Sequence, residues 1–287
     1  MSEWTIGVIG GSGLYELDAL EDAQWIAVDT PWGKPADELL IGRIAGIKFV
    51  FLPRHGRGHR LPPGEINYRA NVDALKRAGC TDLLAVSAVG SLREELAPGQ
   101  FVVVDQYLDR THGRAASFFG PGMVAHVSMA DPVCPRLSAL TADAGEAAGA
   151  PVARRGCYVA IDGPQFSTRA ESAGWRQLGG DVIGMTGMPE AKLARETELP
   201  YASACMVTDY DCWREGEAVD AATILSALKA NAETARQLIL EFAQRLPAER
   251  TPSPIDTNLD HALVTAPAAR DPAMLATLDA VCRRVLA

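Results

Sequence analysis

Short apolar runs alternate with amphipathic segments along the chain, and this alternation predicts a fold built from alternating strands and helices. Apolar runs bounded by polar or glycine-rich turns predict strands within 4–10, 46–56, 81–92, 99–111, 154–168, 181–190 and 200–213. Apolar residues at helical spacing predict helices within 66–80, 135–150, 169–180, 190–199 and 221–246. We therefore expect an α/β fold in which helices flank a mixed central β-sheet.

The end of the chain differs in composition from the rest. Residues 247–258 are rich in proline and polar side chains, which predicts a linker or a surface excursion. Residues 270–287 then have the pattern of a last helix, with Asp271 as its N-cap. We expect one domain over 1–246, followed by a linker and a C-terminal helical extension over 247–287.

Composition restricts the class of protein. Hydrophobic residues make up 48% of the chain and charged residues 22%, as in ordinary soluble globular proteins. The net charge of −9 argues against a nucleic-acid partner, since such proteins usually present a basic face. The sequence has neither a secretory signal pattern nor a run of about 18 apolar residues, which argues against a membrane partner. The six cysteines are scattered without metal-binding spacing, so we expect free thiols, no metal site and a cytoplasmic protein.

The stretch IGVIGGSGLYEL, over 6–17, is a predicted strand that runs into a glycine-rich turn. Its glycines allow backbone amides to approach an anion, and Ser12 adds a hydroxyl donor. The turn has Glu16 where a dinucleotide fingerprint needs glycine, and no P-loop lysine follows. Phosphate binding and a simple tight turn both remain open at this point.

A basic cluster follows the second predicted strand. The segment PRHGRGH, over 53–59, places Arg54 and His55 in one short loop. Arginine offers a planar fork of donors to phosphate or carboxylate, and a neighbouring histidine adds another donor. A solvated basic turn is the alternative, but in an acidic protein this cluster favours a small anionic ligand.

Two further strand ends carry hydroxyl groups. VSAVGSL contains Ser87, and GMTGMPE contains Thr186 beside Met185 and Met188. Methionines at such positions usually belong to the core, although a methionine next to a hydroxyl can also line a sugar. Each of these segments is weak evidence by itself.

TDYDCW places two carboxylates, Asp209 and Asp211, directly after an apolar run. Side chains two residues apart in extended structure share one face. The pair could accept hydrogen bonds from an amino group and donate a proton to a ring nitrogen. A metal site lacks further ligands nearby, and an acidic helix N-terminus is the other alternative.

Together these motifs resemble the purine nucleoside phosphorylase family, and most closely its branch that cleaves methylthioadenosine. The similar segments occur in order between residues 5 and 246 and include GVIGGSGLY, DTPWGKPAD, RHGRGH, INYRAN, VSAVGSLREE, DGPQFSTRAES, VIGMTGMPEAKLARE and TDYDCW. The resemblance implies a single-domain nucleoside phosphorylase fold. It also implies a pentosyltransferase that converts methylthioadenosine and inorganic phosphate into adenine and 5-methylthioribose 1-phosphate, in purine and methionine salvage.

The resemblance also implies site residues, by position in the matching motifs. It implies a phosphate site made by Ser12, Arg54, His55, Ser87, Ala88 through its backbone amide, and Thr186. It implies nucleoside contacts from Met185, Phe166, Ser167, Asp209, Asp211, Ala221 near the thioalkyl group, and His126 reaching a neighbouring subunit. The family is trimeric, sometimes a dimer of trimers, and it uses phosphate as a co-substrate without a metal or an organic cofactor.

The resemblance implies a mechanism in which Asp209 acts as the general acid. Breaking the glycosidic bond builds negative charge on the purine, which a protonated Asp209 would neutralise. We expect the nearby charge of Asp211 to raise the pKa of Asp209. Ser167 stands where many relatives carry glutamate near the sugar hydroxyls, while Gly184 and Gly187 stand where relatives carry larger residues.

Three alternatives differ in class or in substrate. A 6-oxopurine nucleoside or methylthioinosine phosphorylase would present a partner suited to a carbonyl, whereas two carboxylates suit a 6-amino group. A hydrolytic nucleosidase would not need phosphate. A non-catalytic purine-binding protein would have lost part of the anion site, and the presence of Arg54, His55 and Thr186 argues against it.

Overall fold

The computed structural model describes residues 3–11, 13–214 and 221–286, apart from the side chains of 221–225 and 228–230. Its strands are β1 (Thr5–Gly10), β2 (Glu21–Ile26), β3 (Leu39–Ile44), β4 (Ile47–Pro53), β5 (Asp82–Ser91), β6 (Phe101–Val103), β7 (Gln106–Asp109), β8 (Val152–Ala153), β9 (Cys157–Ala160), β10 (Val182–Gly184) and β11 (Tyr201–Asp209). Its α-helices are α1 (Tyr68–Arg77), α2 (Pro135–Ala147), α3 (Arg169–Gln177), α4 (Gly187–Glu196), α5 (Ala221–Arg245), α6 (Pro272–Thr277) and α7 (Arg283–Leu286). Strands and helices alternate along most of the chain, which confirms the predicted α/β class.

The strands form one mixed sheet around the long strand β5. Strands β1 and β11 run parallel to β5, and β10 pairs antiparallel with its end. One path through the sheet is β2-β3-β4-β1-β5-β10-β9-β7, and β11 leads on to β6 and β8. Because the parallel strands β1, β4, β5 and β11 end on the same edge, the polar residues at their ends come together.

Helices cover both faces of the sheet. Helices α1 and α4 pack together on one face, and α2 and α5 pack together on the other. Alternate residues of β5 belong to the two corresponding core clusters, Leu83 and Ala85 to the first and Leu84 and Val86 to the second. Burial on both faces explains why the sequence of this strand is almost continuously apolar.

Local sequence signals mark the ends of several helices. The Asn67 side chain accepts a hydrogen bond from the Ala70 amide at 3.1 Å and caps α1. Gly79 follows the same helix at φ 85°, a left-handed conformation that ends helices at little cost to glycine. Asp271 caps α6 by accepting from the Met274 amide at 2.8 Å. The predicted N-cap at Asp271 is therefore confirmed, and Gly79 ends α1.

The structure differs from the predicted elements in three places. The sequence did not predict the hairpin of β2 and β3, because β2 is mostly exposed and has no apolar run. Residues 270–287 do not form one helix but two short ones, α6 and α7. Residues 99–111 form two strands with different partners, since β6 pairs with β11 and β7 pairs with β9.

The segment after α5 packs against the body of the fold. Leu259, Leu278 and Cys282 are fully buried in the core cluster that includes α1 and α4. At the start of β5, the buried carboxylate of Asp82 binds Arg250 at 2.5 Å. The C-terminal extension therefore shares the main hydrophobic core.

All six cysteines lie in the described part of the chain and are free. Four of them are buried, namely Cys80, Cys134, Cys205 and Cys282. None of the described helices combines the length and the apolar character needed to cross a bilayer.

Candidate active site

Three of the residues expected to bind phosphate meet where β4 and β10 end, beside the interior of β5. The Arg54 amide donates to the carbonyl of Gly10 at 2.9 Å, which ties the basic loop to the glycine-rich turn. Its guanidinium donates through Nη1 to the carbonyl of Val86 at 3.1 Å. The next residue is Ser87, whose Oγ lies 3.4 Å from Oγ1 of Thr186. Arg54, Ser87 and Thr186, which are distant in the chain, thus form one polar cluster.

The charge of Arg54 is held by a buried carboxylate. Its Nε and Nη2 donate to the two oxygens of Glu190 at 2.8 and 3.0 Å, and Tyr201 donates to the same carboxylate at 2.9 Å. Burial alone would lower the pKa of Arg54, but the charge and hydrogen bonds of Glu190 raise it. The guanidinium is therefore a fixed cation at the floor of the site.

The ring of His55 is fixed by its own loop. Its Nδ1 lies 2.8 Å from the carbonyl of Leu61, so Nδ1 carries the hydrogen and donates it. Burial, together with the charge of Arg54, lowers the pKa of His55 to about 4. The ring of His59 stacks on it with centroids 4.1 Å apart. At neutral pH His55 is uncharged, and its Nε2 is an acceptor.

Tyr158 occupies the space beneath the loop that carries Thr186. Its hydroxyl accepts from the amides of Thr186 and Gly187 at 3.3 and 3.4 Å. A Cβ on Gly184 would lie 2.1 Å from that hydroxyl, and one on Gly187 would lie 3.3 Å from the ring. Tyr158 therefore accounts for Gly184, and the ring of Tyr107, 2.7 Å from a Cβ at position 187, accounts for Gly187.

The carboxylates of Asp209 and Asp211 lie beside Gly90 of β5. A Cβ on Gly90 would be 3.0 Å from Oδ1 of Asp209 and 3.5 Å from the Cβ of Asp211. Asp209 accepts from the Thr208 hydroxyl at 2.7 Å and from the Asp211 amide at 2.8 Å. The two acidic side chains therefore share one location, as the sequence predicted.

Asp211 has the more unusual environment of the two. It is 3% exposed, has a left-handed φ of 50°, and its pKa is raised by burial and by the charge of Asp209. Its Oδ2 is buried without a hydrogen-bond partner among the described residues. The expected rise of the pKa at Asp209 stays a prediction, whereas Asp211 is the carboxyl for which burial raises the pKa.

The segment that contains Phe166 and Ser167 lies next to this acidic pair. The carbonyl of Ser167 accepts from the Cys212 thiol at 3.1 Å, and its hydroxyl accepts from the Trp175 indole at 3.2 Å. Phe166 is 44% exposed, which is unusual for a large apolar side chain. The segment thus borders the predicted nucleoside position.

Strand β5 sets the distance between the two ends of the site. Ser87 and Ala88 lie at the end of the site that is expected to bind phosphate, and Gly90 lies beside the two carboxylates at the other end. Three residues of extended strand span about 10 Å. That spacing suits a ligand with an anion at one end and a polar ring at the other.

Not every predicted site residue lies in the polar cluster around Arg54. Met185 precedes Thr186 of this cluster, and its side chain packs on Gly163, where a Cβ would lie 2.3 Å from the sulfur. His126 is exposed on a separate loop, where its amide donates to the carbonyl of Ala262 at 2.9 Å. Ser12 and the side chain of Ala221 fall outside the described part of the chain.

Sequence reasoning missed Glu190 and Tyr158. The signal for Glu190 was present, since it is a lone carboxylate at the end of the apolar segment GMTGMPE. A charged residue buried in such a segment needs a partner, and the basic loop supplies it. Tyr158 has no comparable signal, because a tyrosine in a strand is ordinary.

Residues 5–244 match the model of the phosphorylase superfamily, and the chain belongs to this superfamily. The resemblance and the nucleoside phosphorylase fold predicted from the motifs are thereby confirmed.

Relatives identify the branch of the superfamily. The chain is 59% identical over 285 residues to the S-methyl-5'-thioadenosine phosphorylase of Cereibacter sphaeroides, covering 98% of each protein. It also matches the structure of a methylthioadenosine phosphorylase from an antarctic soil metagenomic library, with 44% identity, a TM-score of 0.92 and coverage of 98% of this chain and 99% of that one. A variant of the adenosine/methylthioadenosine phosphorylase of Schistosoma mansoni, in complex with methylthioadenosine, matches with 39% identity, a TM-score of 0.82 and coverage of 86% and 93%.

Proposed function

We propose that this protein catalyses the phosphorolysis of S-methyl-5'-thioadenosine to adenine and 5-methylthioribose 1-phosphate. The observation that carries the proposal is the arrangement along β5, with Arg54, Ser87 and Thr186 at one end and two carboxylates at the other. A nucleoside that lies between a phosphate ion and a proton donor fits this arrangement. The names of the relatives described above support the same substrate.

The end of the site that contains Arg54 binds inorganic phosphate as a co-substrate. Its proposed ligands are Ser12, Arg54, Ser87, the amide of Ala88, Thr186, and His55, whose uncharged Nε2 accepts from the P–OH of hydrogen phosphate. The cation of Arg54 attracts the dianion, and the hydroxyl groups of Ser87 and Thr186 donate to its oxygens. A phosphate oxygen then bonds to the anomeric carbon as the glycosidic C–N bond breaks. The phosphate charge stabilises the positive charge that develops on the sugar.

The acidic end receives the purine. The electron pair of the broken bond passes to the ring, and Asp209 donates a proton to the imidazole-side nitrogen. Asp211 accepts a hydrogen bond from the 6-amino group through its unpartnered Oδ2. A 6-oxopurine would direct its carbonyl at these carboxylates, so the pair favours adenine.

The sugar and its 5'-substituent lie between the two ends. Met185 contacts the ribose, and Phe166 and Ser167 border the nucleoside. Ser167 in place of a glutamate leaves room for a substrate without a 5'-hydroxyl. Ala221 lies near the methylthio group, which needs an apolar surface, and His126 reaches the methylthio group bound in a neighbouring subunit.

We further propose a cytoplasmic homotrimer, or a dimer of trimers, that needs no metal or organic cofactor. The loop of His126 lies at the surface next to the C-terminal extension, where Val264 donates its amide to Val124 at 2.9 Å. These two valines are 60% and 38% exposed, as expected of a subunit contact. Size-exclusion chromatography with light scattering tests this assembly.

A phosphate-dependent assay across four nucleosides tests the proposed reaction. Methylthioadenosine should be cleaved fastest, ahead of adenosine, methylthioinosine and inosine, and 5-methylthioribose 1-phosphate should form in step with adenine. A preference for methylthioinosine contradicts the substrate assignment. Equal activity after removal of phosphate indicates hydrolysis, and nucleoside binding without turnover indicates a binding protein.

A further inference from the structure

Arg114 lies buried between the two loops that end at the site. Its side chain is 3% exposed. Nη1 donates to the carbonyls of Met185 and Met188 at 2.6 and 2.8 Å. Nη2 donates to the carbonyls of Ile161 and Asp162 at 3.3 and 2.8 Å. One guanidinium therefore joins the loop after β9 to the loop after β10.

These carbonyls need an external donor. The carbonyls of Ile161, Asp162 and Met185 follow short strands, where the pairing within the sheet has ended, and Met188 lies at the start of α4 with non-helical φ −120° and ψ 136°. Only arginine can donate to several carbonyls in one plane, because its guanidinium carries five N–H groups and no acceptor. The hydroxyl of Tyr68 lies 3.3 Å from Nη1 and closes the far side of the group.

The position of this cation is costly. The nearest carboxylate, Asp162, has its Oδ1 3.5 Å from Nε of Arg114, a longer contact than the pair of Arg54. Asp162 is also 37% exposed, so solvent screens its charge. A buried cation with a weak counterion contributes little net stability, so the main effect of Arg114 is on the two loops that it holds in place.

Both loops that Arg114 holds carry residues of the site. The peptide carbonyl of Met185 leads directly to Thr186, whose hydroxyl lies beside Ser87. The Met185 side chain packs on Gly163, the residue after Asp162. A shift of either loop would therefore move the sugar contact and the phosphate contact together.

We infer that Arg114 is a positioning residue, which sets Met185 and Thr186 against the sugar and the phosphate at the same time. The inference rests on the proposed function, because it assigns those two roles to these residues. Arg114 itself contacts neither substrate and acts through the carbonyls it binds. A misplacement of about 1 Å in such a site costs about 100-fold in rate.

The test is a kinetic comparison of Arg114→Ala, Arg114→Lys and wild type with methylthioadenosine and phosphate. Arg155→Ala is the matched control, since its guanidinium is 85% exposed and pairs with Asp105. We expect Arg114→Ala to lower kcat/KM by about 100-fold, with a higher KM for both substrates, and added guanidinium ion to reverse the change. Arg114→Lys should lie between Arg114→Ala and wild type, because an ammonium group reaches fewer carbonyls. Arg155→Ala should match wild type.

A purely structural role predicts a different pattern. It would lower the melting temperature and the fraction of active enzyme but leave both KM values unchanged, and that result overturns the inference. If Arg114→Ala does not fold, the KM values of Arg114→Lys decide in the same way. An inactive wild type would contradict the proposed function instead. Isothermal titration of phosphate into wild type and Arg114→Lys then decides whether Arg114 positions the anion site.

Discussion

The guanidinium of Arg54 and the carboxylate of Glu190 form a two-pronged ion pair, with N–O distances of 2.8 and 3.0 Å and exposures of 2% and 1%. The pair joins the loop after β4 to the start of α4, across 136 residues of sequence. Its burial means that neither charge can be satisfied by water if the other is removed.

Removing the charge of Glu190 should therefore destabilise the fold. We expect Glu190→Gln to lose about 3 kcal/mol in the free energy of unfolding, because it leaves the cation of Arg54 unpaired. Added phosphate should restore part of the loss, since a dianion can replace the missing charge. Urea unfolding with and without phosphate measures both effects. Glu146→Gln, in an exposed pair with Arg154, is the control and should leave the free energy of unfolding nearly unchanged.

The two aspartates should have separable effects on catalysis. We expect Asp209→Asn to lower kcat by about 100-fold or more with little change in the KM of phosphate, because it removes the proton donor. Asp211→Asn should mainly raise the KM of the nucleoside, because it weakens recognition of the amino group. Steady-state kinetics at saturating phosphate separates the two. If Asp209→Asn keeps a nearly normal kcat while Asp211→Asn is inactive, then Asp211 is the proton donor.

Gly184 and Tyr158 should be energetically coupled. A methyl group at position 184 would collide with the Tyr158 hydroxyl, so Gly184→Ala should cost about 1 to 3 kcal/mol in unfolding free energy. The cost should be smaller in a Tyr158→Phe background, because the nearest atom is then gone. A double-mutant cycle measures the coupling. Gly174→Ala, on α3 with open space around it, is the control and should not destabilise. Additive effects would contradict the collision.

Glu196 should make stability depend on pH. Burial raises the pKa of Glu196 to about 7, although Phe118 and Ser117 donate to its carboxylate. An unfolded glutamate titrates near pH 4.3, so the folded state binds this proton more tightly. Stability from this group is therefore present at low pH and lost as pH rises from about 4.3 to about 7.

Replacing Glu196 with glutamine should remove that dependence. Relative to wild type, Glu196→Gln should gain up to about 3 kcal/mol between about pH 5 and pH 8, measured by urea unfolding. Asp279→Asn is the control, because hydrogen bonds from Arg77 lower the pKa of Asp279. Its difference from wild type should stay constant over that range. If the difference in unfolding free energy between Glu196→Gln and wild type is also constant, the carboxyl of Glu196 has an ordinary pKa.

The C-terminal extension should be required for folding. A chain truncated after residue 246 would expose the apolar surface that Leu259 and Cys282 cover, and it would remove Arg250 from the buried Asp82. We expect this chain to be insoluble or to unfold far below the wild-type temperature, as measured by circular dichroism. A folded, cooperative truncation that has only a raised KM would contradict this and would restrict the extension to a role at the site.

The sequence by itself determined the elements whose signals are local. Apolar runs and helical spacing located β1, β4, β5, β11 and the long helices, because burial of one face or both leaves a periodic pattern. Gly79 and Asp271 marked helix ends, since capping depends on one residue and its nearest neighbours. The ordered motifs also identified the superfamily and most of the residues that now surround the site.

Only the tertiary structure decided how those residues act together. The edge strand β2 has no apolar pattern to predict it, because most of it faces solvent and its pairing with β3 defines it. The buried partners of Arg54 and Arg114 come from distant segments that sheet topology brings together. The same holds for Asp211, whose pKa is raised because packing buries it. Burial is a property of the whole fold, so no local stretch of sequence specifies it.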